Sequence, residues 1–157
     1  MSVSPLAAIL GRLPSGLFVL TARRDRDETG MLASWVMQAG FEPPMITVAL
    51  HKDRLLARWL VEGTAFTVNL LSQEQRPLMA HFGRGFDEGE PAFDNLDIER
   101  ASNGAPVIPG AVGYLECDPV GHLDSGDHRV FLARVRSGQF HEGRRPLVHV
   151  RRNGMKY

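Results

Sequence analysis

What most constrains this chain is its division into short apolar runs rich in β-branched and aromatic residues. Leu17–Ala22 (LFVLTA), Met45–Leu50 (MITVAL), Ala65–Leu71 (AFTVNLL), Ala111–Cys117 (AVGYLEC), Arg129–Val135 (RVFLARV) and Pro146–Val150 (PLVHV) each read as a strand, since such side chains pack well on a pleated surface. Met31–Gln38 (MLASWVMQ) is a seventh candidate that fades into irregular chain by Ala39. Turn-forming clusters at Asp27–Gly30, Glu42–Pro44, Asn103–Gly110 and Asp124–Asp127 separate the runs. Three short segments read as helices instead. Pro5–Leu13 sets Leu6, Ile9, Leu10 and Leu13 on one stripe, and Leu55–Glu62 does the same with Leu55, Leu56, Trp59 and Leu60, with Asp53 available as its cap. Ser72 and Gln75 form a capping-box pattern that opens a helix towards His81, with Pro77 delaying or kinking it. Strands without a regular βαβ alternation point to a closed or nearly closed antiparallel barrel and away from a doubly wound sheet.

The 157 residues suit one domain. Eighteen basic residues balance eighteen acidic ones, which removes the general electrostatic drive towards nucleic acid or an acidic membrane. No apolar run approaches the roughly 18 residues of a membrane span. The N-terminus lacks the basic region that opens a signal peptide, so a cytoplasmic location is expected. A single cysteine, Cys117, leaves no intramolecular disulfide framework and no multi-cysteine metal site within one chain. Two local biases, acidic over Asp87–Glu99 and basic from His141 onward, read as solvated faces.

Conventional catalytic signatures are missing: no G-x-S-x-G elbow, no H-E-x-x-H, no P-loop and no G-x-G-x-x-G fingerprint. Any nicotinamide would therefore bind without a Rossmann crossover. The six histidines lack tight metal-ligand spacing, and the aspartates around His122 and His128 read as turn formers, so no metal site is assigned. Cys117 reads as a buried small hydrophobe. The informative stretch is Gly30–Arg54, GMLASWVMQAGFEPPMITVALHKDR. It offers two strand ends with free backbone N–H groups, a hydroxyl, an amide and two cations beside apolar residues. A phosphorylated ring cofactor such as FMN needs that mixture. On spacing alone a plain surface strand–turn–strand remains the stronger of the two readings.

The string Ala33-Ser34-Trp35-Val36-Met37-Gln38-Ala39-Gly40-Phe41-Glu42-Pro43-Pro44 followed by Ile46–Leu50 resembles the flavin reductase-like family of FMN-binding split β-barrels, in particular the reductase-like module of cyanobacterial flavodiiron proteins. Phe66-Thr67-Val68-Asn69-Leu70, the His81–Phe86 loop and Gly126-Asp127-His128 with Phe131 and Val135 resemble its later motifs. The likeness runs from about Leu13 to Val150. It implies a mainly β, six-stranded antiparallel split barrel with a few short helices, a homodimer, and FMN held where the two subunits meet. By position, Met31, Leu32, Ala33, Ser34, Trp35, Val36 and Gln38 would line the ring and ribityl chain, with Ser34 and Gln38 as polar contacts. Ala49, Leu50, His51, Lys52 and Arg54 would reach the phosphate, with Lys52 and Arg54 as counter-charges. Asn69 and Leu70 would close the ring side, Arg84 would approach the phosphate, and His128 would face the flavin or the incoming nicotinamide. Gly40 departs from the serine many relatives carry, which removes a hydroxyl from the phosphate side.

The activity implied is NAD(P)H-dependent flavin reduction, with NADH or NADPH as donor and FMN, FAD or riboflavin as acceptor, serving a downstream oxygenase or other electron acceptor. A non-enzymatic FMN-binding electron carrier is the alternative.

Overall fold

A computed structural model describes residues 2–157. In chain order they form α1 (Pro5–Gly11), β1 (Ser15–Gly16), β2 (Phe18–Arg24), β3 (Asp27–Ala33), β4 (Val36–Gly40), β5 (Met45–His51), α2 (Leu55–Val61), β6 (Phe66–Leu70), α3 (Leu78–Gly83), β7 (Glu99–Arg100), β8 (Pro106–Val107), β9 (Gly113–Ser125), β10 (His128–Phe140) and β11 (Val148–His149). Seven of the strands make one sheet in the order β3-β2-β6-β9-β10-β5-β4, with antiparallel neighbours throughout.

That order carries the architecture. Strands β3 and β4 are the two edges of the sheet, yet only Ser34 and Trp35 separate them in sequence. Three Cα steps span at most about 11 Å, so the sheet must curl until its edges meet. Among the described residues no ladder joins β3 to β4, and the barrel stays split along that seam. The run Met31–Gln38 is therefore two strands rather than one, which makes seven strands where six were expected. The break falls where the chain crosses from one edge to the other, a demand of closure that local propensity does not carry.

The barrel interior holds Leu20, Val48, Trp59, Phe66 and Phe131. A second cluster, with Leu17, Val19, Leu71, Phe82, Phe93 and Leu147, lies between the outer face of the barrel and the loop after α3. Strand β2 is buried on both faces because its alternate residues, Leu20 and Val19, serve different cores. Cys117 lies in the barrel core, where burial pushes its thiol pKa up to about 12, with Asp118 and Glu116 adding to the shift. That thiol is inert at neutral pH.

Several local expectations change in the fold. Leu6, Ile9 and Leu13 are 62%, 62% and 65% exposed, and α1 buries Ala7 and Gly11 instead. Its inner face meets another backbone, and only small residues permit that approach. Arg54, not Asp53, stands at the start of α2, without a side-chain cap. The Ser72/Gln75 capping box is present but opens a single 3-10 turn, Gln73–Gln75, and the helix proper begins after Pro77. Of the segment Pro146–Val150, Val148–His149 pairs with Ser15–Gly16 and Pro146 makes an isolated bridge to Ser72. Strands β9 and β10 run 13 residues each, far beyond the apolar runs that announce them. Their outer halves face solvent, so little hydrophobic signal marks them. No helix among the described residues is long and apolar enough to cross a membrane.

Candidate functional site

A cavity of about 610 Å3 opens on the seam between β3 and β4, inside the roughly 300–1,000 Å3 range of small-molecule sites. One wall is the end of β3 and the crossing itself: Met31, Leu32, Ala33, Ser34 and Trp35. The facing wall is the end of β5, with Ala49, Leu50 and His51, continued by Arg54 at the start of α2. The amide of Ala49 donates to the Trp35 carbonyl at 3.0 Å, which ties the two walls together. Met79 and Gly83 of α3 and Leu17 before β2 close one side. Residues 149–157 close the other.

The charged side chains lining the cavity have one sign. Arg54, Arg151, Arg152 and Lys156 are there, and no Asp or Glu is among the lining residues described. Arg54 makes no ion pair among the described residues. Its guanidinium lies so close to Gly85 that a Cβ there would fall 2.0 Å from Nη1. His51 Nδ1 accepts the Asp53 amide at 3.2 Å, which leaves Nε2 as the donor of the neutral ring.

His128 stands one layer behind the cavity wall. Its ring centroid is 4.7 Å from Trp35 and 5.2 Å from His51. Nδ1 lies 2.6 Å from Asp127 Oδ1, and that hydrogen bond holds the Asp127 carboxyl below its ordinary range. The ionised carboxylate therefore accepts from Nδ1–H, which in the neutral ring makes Nε2 the acceptor. The Tyr157 hydroxyl meets that nitrogen. Burial first, with Asp127 assisting against the nearby arginines, holds the Tyr157 pKa above its ordinary value, so the phenol is the donor.

Nine of the sixteen residues singled out from sequence line this cavity: Met31, Leu32, Ala33, Ser34, Trp35, Ala49, Leu50, His51 and Arg54. The others lie elsewhere in the chain's own fold. Lys52 Nζ is 3.4 Å from Asp124 Oδ2, and Lys52 is not among the residues lining the cavity. Asn69 is fully buried, donating to the Val19 carbonyl and accepting from the Ile108 amide, both at 3.0 Å. It ties β6 to the chain on both sides, a task for long-range partners that spacing cannot reveal. Leu70 pairs with Phe18 and Gly113 within the sheet. Val36 packs on the barrel core. Gln38 is exposed, its amide 3.4 Å from the Gly40 carbonyl. Arg84 pairs with Glu90 at 3.1 Å and lies over Phe86. The loop aspartates are spoken for as well: Asp124 binds Arg129 and Lys52, and Asp118 binds Arg136. What sequence reading missed is the 149–157 segment. Its cations looked like a solvated face, and only the close approach at Gly154 marks its docking.

A family model described as the flavin reductase like domain matches residues 10–156. A putative diflavin flavoprotein A 1 of Thermosynechococcus vestitus is 39% identical over 94% of this chain, and diflavin flavoprotein A 1 of Synechocystis is 35% identical over 98%. The chain spans about a quarter of the length of these curated relatives, 26% and 27%. Among solved structures, the NADH:FAD oxidoreductase SgcE6 of Streptomyces globisporus superposes with a TM-score of 0.86 at 28% identity, covering 96% of this chain and 93% of that one. BorF, the flavin reductase component of a bacterial two-component tryptophan halogenase, gives 0.83 at 27% identity, covering 92% and 91%.

Proposed function

The chain belongs to the flavin reductase-like family of oxidoreductases, and on that premise we propose that it is a cytoplasmic NAD(P)H-dependent flavin reductase that takes FMN into the cavity on the barrel seam. The observation that carries this reading is the lining: apolar walls from two strand ends, with cations as the only charged side chains among the described residues there. That donor set fits a flat ring bearing a phosphate. Bound flavin would supply the acceptor, at N5, for a hydride leaving C4 of the nicotinamide.

The chain's own part is to bind and to orient. The backbone of Met31–Trp35 and of Ala49–His51 walls the ring and excludes water. Ser34 offers a hydroxyl to the ring's polar edge. Arg54, rather than Lys52 in its pair with Asp124, meets the phosphate. His128, its tautomer set by Asp127, presents an acceptor nitrogen towards the site. No side chain need move a proton during the hydride step, because positioning supplies the rate.

A homodimer with the flavin near its contact fits the exposed apolar residues of β4, β9 and β10, among them Met37, Leu123, Leu132 and Phe140. The length of the curated relatives favours a second reading, in which the module passes electrons within a larger redox assembly as a carrier. The natural acceptor of the reduced flavin would then be a partner protein; BorF, named as the reductase component of a two-component halogenase, suggests a partner enzyme that uses reduced flavin.

Oxidation of NADH and NADPH, followed at 340 nm with FMN, FAD or riboflavin added, tests the proposal. Turnover that saturates with flavin is expected. Tight flavin binding without oxidation of either donor would favour the carrier, and the failure of all three flavins to bind would contradict both readings.

A further inference from the structure

The segment after β11 is pinned to α1. The Arg151 amide donates to the Gly11 carbonyl and the Gly154 amide to the Ala7 carbonyl, both at 2.7 Å, and Arg12 Nη1 donates to the Arg151 carbonyl at 2.8 Å. Two glycines permit the approach. A Cβ on Gly154 would lie 2.3 Å from Leu10 Cβ, and one on Gly11 would lie 2.4 Å from the Arg151 oxygen. Beyond Gly154 the chain turns back over the cavity. There the Tyr157 hydroxyl caps His128 Nε2, with the phenol ring 5.8 Å from Trp35. This end is lightly held, since Tyr157 as a whole residue is 70% exposed even though its hydroxyl sits against His128. Arg151 is what fastens it: Nη1 donates to the Lys156 carbonyl at 3.1 Å, and the guanidinium lies over Trp35 at 5.4 Å and Tyr157 at 6.0 Å.

We propose that Tyr157 is a displaceable stopper on His128, and that Arg151 makes its release specific for ligands that carry phosphate. The inference rests on the reading of the seam cavity as the flavin site. Its physical basis is competition. A phosphate oxygen is a stronger acceptor for a guanidinium than a neutral carbonyl is, so a phosphate entering the cavity draws Arg151 from the Lys156 carbonyl. The loop carrying Tyr157 loses its fastening, and His128 Nε2 becomes free to accept an N–H from the ligand. A ring without phosphate must break the Tyr157–His128 bond unaided. Lys156 and Arg152, on the same segment, draw the anion to this side of the cavity.

The test uses the two tyrosines of the chain, Tyr114 and Tyr157. Protein labelled with 3-fluorotyrosine gives two fluorine resonances, and Tyr157→Phe identifies the second. FMN, NADH and inorganic phosphate are each expected to move the Tyr157 resonance to the position it takes in Arg151→Gln, while riboflavin at low occupancy leaves it in place. FMN and NADH arms separate the flavin phosphate from the dinucleotide pyrophosphate as the releasing group. Flavin fluorescence quenching supplies the second readout. Tyr157→Phe should tighten riboflavin about threefold to tenfold, the scale of one hydrogen bond removed, with FMN changing less. A Tyr157 resonance that stays fixed while FMN saturates the protein overturns the stopper and leaves the flavin site standing. If FMN does not bind at all, the site reading itself fails and the stopper with it.

Discussion

Arg54→Glu is expected to weaken FMN binding about a hundredfold while leaving riboflavin within about threefold of the native value. The first figure is the upper end of what a charge-assisted hydrogen bond contributes, roughly 1.5–3 kcal/mol, and reversal of the charge argues for that end. The asymmetry is the point of the comparison, because the two flavins share a ring and differ in a phosphate. Arg54 stands where β5 has ended and α2 begins, on the cavity wall and half-buried, and among the described residues it makes no ion pair that a phosphate would have to displace. Kd values from flavin fluorescence decide the matter. Equal losses for both flavins would mean that Arg54 holds the fold and not the phosphate. No loss for either would place the phosphate at another cation.

The second large effect concerns stability. Phe82→Ala should cost about 3–5 kcal/mol, the usual range for emptying a fully packed aromatic site. Set against the 5–15 kcal/mol that holds a domain of this kind together, much of the margin goes. Phe82 is 1% exposed and is the hub of the second core. Phe93 packs at 5.8 Å and Phe86 at 6.3 Å between ring centroids, and a Cβ on Gly30 would approach Phe82 Cε1 to 3.1 Å. Through these contacts the acidic loop after α3 is clamped to β3. His81 adds a bond to the Ala92 carbonyl at 2.7 Å. Because α3 supplies Met79 and Gly83 to the cavity, the folded fraction of Phe82→Ala should also bind FMN more weakly. Urea unfolding gives the stability term directly. A loss below 1 kcal/mol would mean that the loop is held by something other than its phenylalanines.

How much of this was legible before the fold was known depends on how far apart the cooperating residues lie. The Gly30–Arg54 string could be read because both cavity walls come from one contiguous hairpin region, and its strand ends keep their chemistry whatever the barrel does around them. Choosing between Lys52 and Arg54 was another matter. They lie two residues apart just past the end of one strand, and which of them the fold leaves for a ligand is decided by Asp124 on the neighbouring hairpin, which claims the lysine. Asn69 was put beside the ring by the resemblance, not by a local pattern. Its partners are 50 and 39 residues away in sequence, beyond any local pattern. The helix α1 misled for a related reason: its leucine stripe is real, but the face that packs is the one bearing Ala7 and Gly11, chosen by a backbone contact from residues 151–154. The same long-range contact brings Arg151 and Tyr157 to a site first drawn some 120 residues earlier in the chain.

Amide hydrogen exchange with and without saturating FMN addresses the location of the flavin most directly. Amides of residues 31–35 and 49–54 should slow on FMN addition, since both strand ends wall one cavity, while those of the acidic loop at 87–99 keep their rates. Protection centred on that loop or on the β9–β10 hairpin, with the two strand ends unchanged at full occupancy, would contradict the placement of the flavin at the barrel seam.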